Sequence, residues 1–355
     1  MASKMTNNAP QRWKRRPEGS TWGDFGPDDQ LGRLNLVTPQ KVLQGIAEVI
    51  EGHTFCLSLP LDYPGGRALN PRREPPHLFA TRRDGKPNMA FPFSRLDPHF
   101  TDVICDDAVT LALQYSTQWD SLAHMGQMFD ADGDGLPEMV FCNGYRAIEH
   151  IAGPIDYRDG GERETGLESG ARALGIERMA ETGVQDRAVM IDLARHFGEE
   201  RATVGYDSLM RIIDADRIEV ESGDFVCLRT GFDRMLLGMN KTPDADTLQN
   251  RCAALDGRDP QLQRWITETG LAALIADNPA VERLPAVPGA SGSFASHPLH
   301  EHYLFRLGVH LGELWYLSEL ADWLQDHGRS RFLLTAPPLR LPGAVGSPVT
   351  PVATV

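Results

Sequence analysis

The sequence predicts a mixed α/β domain, and three observations carry that expectation. Short apolar runs that read as strands alternate with longer amphipathic stretches that read as helices. Gly, Pro, Asn and Asp punctuate the joints between them, and no internal repeat is visible. The 355 residues are 41% hydrophobic and 24% charged, the balance of a globular chain able to bury a sizeable core.

Taken in order, residues 1–20 are polar and read as a flexible N-terminal arm, and residues 21–355 as a single domain. From Trp22 the chain is dense in turn formers. Thr38 then caps a helix with Pro39 in its first turn, running to about Gly52. HTFCLSLPL (53–61) alternates as a strand, whereas residues 63–100 read as a long surface excursion, whose Arg72, Arg73, Arg82 and Arg83 could meet an anionic substrate although a solvated loop is the preferred reading. Val109–Tyr115 alternates well enough to predict another strand. After a polar, Gly-rich separator at Asp156–Glu164, LESGARALGIERMAETG reads as helix, and RAVMIDLAR and DFVCLRTG as strands. QLQRWITETG is a helix feeding a strand in LAALIADN. ELWYLSELADWLQDHG places Leu317, Leu320, Ala321 and Leu324 on one helical face, with Gly328 to stop it.

A formal net charge of −14 argues against a nucleic-acid partner, since phosphate binding needs a concentrated basic face. The one basic run, Arg12–Arg16, reads as a solvated arm. Five scattered cysteines without a C-x-x-C pair exclude a disulfide framework and a cysteine zinc site. No apolar stretch follows the N-terminal charges and none is long enough to span a membrane, so a cytoplasmic protein without membrane contact is expected.

Several motifs fail. Asp130–Gly135 (DADGDG) opens like a calcium loop, but its twelfth position is Phe141 where a bidentate Glu is needed, leaving an acidic turn. GASGS near Ser291 is not a nucleophile elbow, and H-E-x-x-H, P-loop and dinucleotide fingerprints are missing.

Two clusters survive. If Val109–Tyr115 continues extended into STQWDSLAH, Gln114, Ser116, Gln118, Asp120 and His124 share a face opposite the apolar set. A carboxylate and an imidazole four residues apart, beside two amides, suit metal binding or acid–base work. The second cluster, HPLHEHYLFRLGVHLGELW, packs His297, His300, His302 and His310 into one window ahead of Glu313. His302 and His310 read as surface or capping residues.

The first cluster resembles the cyclase superfamily signature H-x-G-T-H-x-D-x-P-x-H, shared by kynurenine formamidases, isatin hydrolases and related lactone hydrolases. Over Gln114–His124 it keeps Thr117, Asp120 and His124, and replaces two histidines by Gln114 and Gln118, a glycine by Ser116 and a proline by Leu122. This is similar to the Q-W-D-x-x-x-H form of longer members. WGDFGPDDQLGRLNLVTP, LHEHYLFRLGVHLGE and APPLRLPGAVGSPVTPVA extend the resemblance along nearly the whole chain. It implies a swivelling β/β/α domain and metal-assisted hydrolysis of an amide, ester or lactone bond in a small cyclic or aromatic-derived molecule. It assigns metal ligation to Asp120, His300, Glu313, Gln118, Gln114 and His124, and acid–base catalysis to His124 or Glu313. Manganese or zinc is implied, with the amide oxygens favouring the harder ion. It further implies a homodimer or homotetramer. Losing two imidazoles leaves open a catalytically inactive small-molecule binder, and a metal-dependent dehydratase or cyclase is the other alternative. About 180 positions separate Asp120 from His300, so one shared pocket is the geometric expectation.

Overall fold

The computed structural model describes residues 11–286, 288, 289 and 292–355. Its centre is a nine-stranded mixed sheet. In chain order the strands are β1 (Thr54–Cys56), β2 (Gln118–Asp120), β3 (Gln185–Asp192), β4 (Phe225–Arg229), β5 (Ala273–Ala276), β6 (His310–Glu313), β7 (Arg331–Thr335), β8 (Gly346–Pro348) and β9 (Val352–Thr354). Across the sheet the order is β1-β9-β7-β3-β4-β5-β6-β2-β8. Strands β3 to β6 are mutually parallel, and the flanking pairs are antiparallel.

The parallel strands are buried on both faces, which is why they read as continuous apolar runs. Val189, Ile191, Val226, Leu228 and Leu274 enter one core; Ala188, Met190, Phe225, Cys227 and Ile275 enter the other. Helices cover both. Helix α1 (Pro39–Ala47) lies over β3, where Gly45 sits so close that an added Cβ would stand 2.8 Å from the Arg187 nitrogen. Leu209 and Ile212 of α2 (Tyr206–Ala215) and Leu262 and Ile266 of α3 (Pro260–Thr269) fill the first core. Leu320, Ala321 and Leu324 of α4 (Ser318–Asp326) fill the second. Thr38 accepts from the Lys41 amide as the N-cap of α1, and Asp259 does the same for α3 ahead of Pro260.

Several boundaries differ from the sequence expectation. Helix α1 stops at Ala47, and 53–61 contributes only Thr54–Cys56. LESGARALGIERMAETG holds a single turn of helix, Ile176–Ala180, entered from Gly175. The excursion at 63–100 is not one loop. It contains His77–Ala80, which pairs with Asp107–Thr110, and Phe91–Pro92, which pairs with Val103–Ile104. The strand expected over 109–115 therefore ends at Thr110, in that side hairpin.

Residues 1–10 of the expected arm, and Ser291 of GASGS, lie outside the described residues. From Gln11 onward the arm packs against the body. Trp13 is buried edge-on against Trp22 at 5.7 Å, and the Lys14 amide donates to the Ala131 carbonyl. The aromatic side chain overrides the local charge pattern. The five cysteines are all free, and among the described residues no helix is long and apolar enough to cross a membrane.

Candidate metal centre

The site forms at the carboxyl end of β6, where an edge of parallel strands presents its last side chains. In the antiparallel β2–β6 register, Gln118 stands opposite Glu313 and Asp120 opposite Leu311, so Gln118, Asp120 and Glu313 share one face. The other face holds Trp119 and Gly312. An added Cβ at Gly312 would stand 2.8 Å from Trp315 Nε1, which donates to the Gln118 carbonyl. The small residue lets the indole lock the two strands together.

His300 arrives from a third element. It ends a short turn, Pro298–His300, and the chain continues as a π-helix, Glu301–Leu307, closed by Gly308 at φ 61°. π-helical turns recur at functional sites. The N-terminal segment braces this turn: Trp22 Nε1 donates to the Phe305 carbonyl, and the Arg33 amide to that of Gly308.

Asp120, His300 and Glu313 each bring a ligand-type atom within 4.8 Å of the others, and all three are buried. Both oxygens of Asp120, Oε1 of Glu313 and Oε1 of Gln118 are buried without a hydrogen-bond partner. Such orphaned acceptors are costly unless a cation or polar ligand engages them. The donor set of carboxylates, imidazole and amide oxygen therefore fits a divalent metal ion.

Neighbours orient the cluster. Gln118 Nε2 donates to Glu313 Oε2 at 3.0 Å. Glu282 accepts from the Leu299 and His300 amides and pairs with His300 Nδ1 at 2.9 Å. That leaves His300 Nε2 facing Glu313 Oε1 at 3.2 Å, an approach not aligned as a hydrogen bond. Burial opposes a charged His300, but Glu282 and Glu313 outweigh it and lift its pKa to about 10. Burial and then the Asp120 charge push Glu313 up to about 7. His124 Nε2 lies 3.9 Å from Asp120 Oδ2, and burial lowers its pKa, favouring the neutral base.

His124, His300 and Glu313 line a cavity of about 610 Å³. Of the residues expected at the site, Asp120, His300, Glu313, His124 and Gln118 thus converge. Gln114 lies one strand further out: its side-chain amide packs against Gly346, the cross-strand neighbour of Asp120, and its backbone carbonyl accepts from Arg73. A turn at 113–117 breaks the extended run that the alternating pattern predicted. His302 points away, to Thr267 and the Gln263 carbonyl, and His310 is buried with its pKa lowered to about 3 by desolvation. Both are buried, not the surface or capping residues expected, because each is carried inward on an apolar segment. In the acidic turn, Asp130, Asp132 and Asp134 bring oxygens within 4.8 Å of one another and accept from the amides of Gly133, Asp134, Gly135 and Leu136 and from Arg15.

Sequence reasoning passed over Glu282, an isolated acid with no spacing signal. It also left His297 unassigned within the histidine window and preferred a solvated loop for Arg72 and Arg73 over contact with an anionic substrate, although all three line the cavity.

The Cyclase family model matches residues 57–283. A crystal structure of a novel cyclase superposes with a TM-score of 0.72 at 30% identity, over 95% of this chain and 97% of that one. Isatin hydrolase A from Ralstonia solanacearum gives 0.53 at 15% identity, over 89% and 97%. An isatin hydrolase bound to the product analogue thioisatinate gives 0.52 at 14%, over 90% and 99%. The last two share the fold. No curated protein matches the chain.

Proposed function

The chain belongs to the cyclase family, and on that premise we propose that it is a metal-dependent hydrolase opening an amide, ester or lactone bond of a small cyclic or aromatic-derived molecule. The observation that carries this reading is the buried convergence of Asp120, His300 and Glu313 with orphaned carboxylate oxygens, beside a cavity of small-molecule size. A manganese or zinc ion held there would polarise the scissile carbonyl and acidify water.

The chain's own residues do the rest. His124 meets the cavity as a neutral imidazole and takes the proton of the attacking water. Asp120, beside it, stabilises the imidazolium that forms. His124 then returns the proton to the leaving nitrogen or oxygen. Glu282 holds His300 Nδ1, and so aims Nε2 into the cluster. Gln118 steadies one oxygen of Glu313 and leaves its own carbonyl oxygen to the site. A homodimer or homotetramer belongs to the same proposal, checked by light scattering.

The test is exhaustive chelation followed by assay on simple formamides and lactones. Turnover should vanish and return with manganese or zinc, and the product should gain one water. A product isomerised without consumption of water would instead support a dehydratase or cyclase.

A further inference from the structure

The cavity wall reverses the charge of the chain. The whole sequence carries −14, yet the cavity is lined by four arginines, Arg72, Arg73, Arg251 and Arg283, against two carboxylates, Glu282 and Glu313. Both carboxylates are committed to His300. The arginines are differently employed. Arg283 is pinned by the carbonyls of Ala202 and Cys252. Arg73 is half-buried and anchored through one nitrogen to the Gln114 carbonyl. It makes no ion pair among the described residues, so the rest of its guanidinium fork is open. Its charge reaches the chemistry, lowering the proton affinity of both His124 and Glu313. Arg72 is exposed at the rim, also without an ion pair among the described residues, and its charge acts on His297. Leu69, Met125, Phe232 and Leu248 line the same cavity and give it an apolar wall.

We propose that the cavity takes a substrate carrying a carboxylate in addition to the bond that is cleaved. Arg73 and Arg72 grip that carboxylate while the apolar wall covers the hydrocarbon or ring between it and the scissile carbonyl. This rests on the hydrolase reading above. A half-buried guanidinium with free donors matches a carboxylate in the bidentate geometry that lysine lacks. Holding the far end of the molecule would set the scissile carbonyl against the Asp120–His300–Glu313 cluster. The neighbouring Arg82, bonded to the Gly85 carbonyl in its own turn and outside the cavity wall, is the internal control.

Calorimetric titration of the full-length protein with phenylacetate and with its neutral isostere phenylacetamide tests the proposal, in metal-loaded and in chelated protein. Phenylacetate should bind roughly tenfold tighter than the amide in both states. Arg73→Gln and Arg72→Gln should each erode that preference by about three- to tenfold, and Arg82→Gln should leave it unchanged. Arg72→Gln guards against a folding defect, because Arg72 is exposed and its guanidinium makes no ion pair among the described residues. Equal affinities, no binding of phenylacetate, or a preference untouched by both variants would overturn the proposal. So would a preference abolished by chelation, since the cation itself would then be holding the carboxylate. Failure of turnover on every formamide and lactone counts against the hydrolase reading alone, because the charge preference is read from binding.

Discussion

Two of the buried acidic clusters among the described residues are resolved in opposite ways. Beneath α1, Asp224 is fully buried, but Lys41 Nζ reaches it at 2.5 Å, Arg187 grips it through two nitrogens at 2.9 and 3.0 Å, and the Glu221 amide adds a fourth bond. Every charge there is answered from within the chain. At the carboxyl end of β6, Asp120 and Glu313 are equally buried, yet among the described residues Glu313 pairs with the imidazole of His300 alone, Asp120 has His124 no nearer than 3.9 Å, and neither Asp120 oxygen accepts a hydrogen bond. A chain that can surround one carboxylate with two basic side chains and leaves another bare has left room for a ligand. The first cluster holds the fold, and the second is what the fold holds in place.

This contrast can be broken by substitution. Asp120→Asn should have the largest effect, nearly abolishing turnover while circular dichroism and the melting temperature stay close to wild type, because the amide keeps the shape and loses the charge. If turnover survived, Asp120 would be a second structural acid and the comparison would fail. Asp224→Ala should do the reverse, costing about 3–5 kcal/mol in urea denaturation by stranding Lys41 and Arg187, without a specific loss of catalysis in the protein that remains folded. His124→Ala should lower kcat by roughly a hundredfold, the range for a lost acid–base group, with metal content unchanged.

Asp186, next to Arg187, gives the smallest and subtlest effect. Burial pushes its carboxyl up to about 7, and one oxygen lacks a partner. Because the folded value lies above the unfolded one, the stability this group allows is complete below about pH 4 and is lost as the pH rises toward 7. Wild type should therefore lose on the order of 1–3 kcal/mol relative to Asp186→Asn between about pH 5 and about pH 8. Parallel denaturation curves for the two proteins would contradict that.

The same contrast explains what was legible beforehand. Strands β3, β4 and β5 announce themselves because burial on both faces leaves uninterrupted apolar runs, and α1 and α3 because a capping residue precedes a proline. Asp120 and His124 could be singled out from residue type and spacing, and His300 and Glu313 from the family pattern. Strand β2 could not be read correctly: alternation suggested one run from Val109, whereas Asp107–Thr110 pairs with His77–Ala80 and the chain turns before Gln118. Glu282 has no local signature, since its job is set by meeting His300 across 18 residues. Arg73 looked like one basic residue among several in a loop, and only the fold brings its charge to the cluster.

The central claim is that Asp120, His300 and Glu313 hold a divalent cation. A crystal structure with the metal assigned from anomalous scattering tests it most directly. One ion should be found bound to those three side chains at about 2.0–2.3 Å, with the Gln118 oxygen beside it, and should be lost in Asp120→Asn. A metal-free site in protein that is fully active would contradict it.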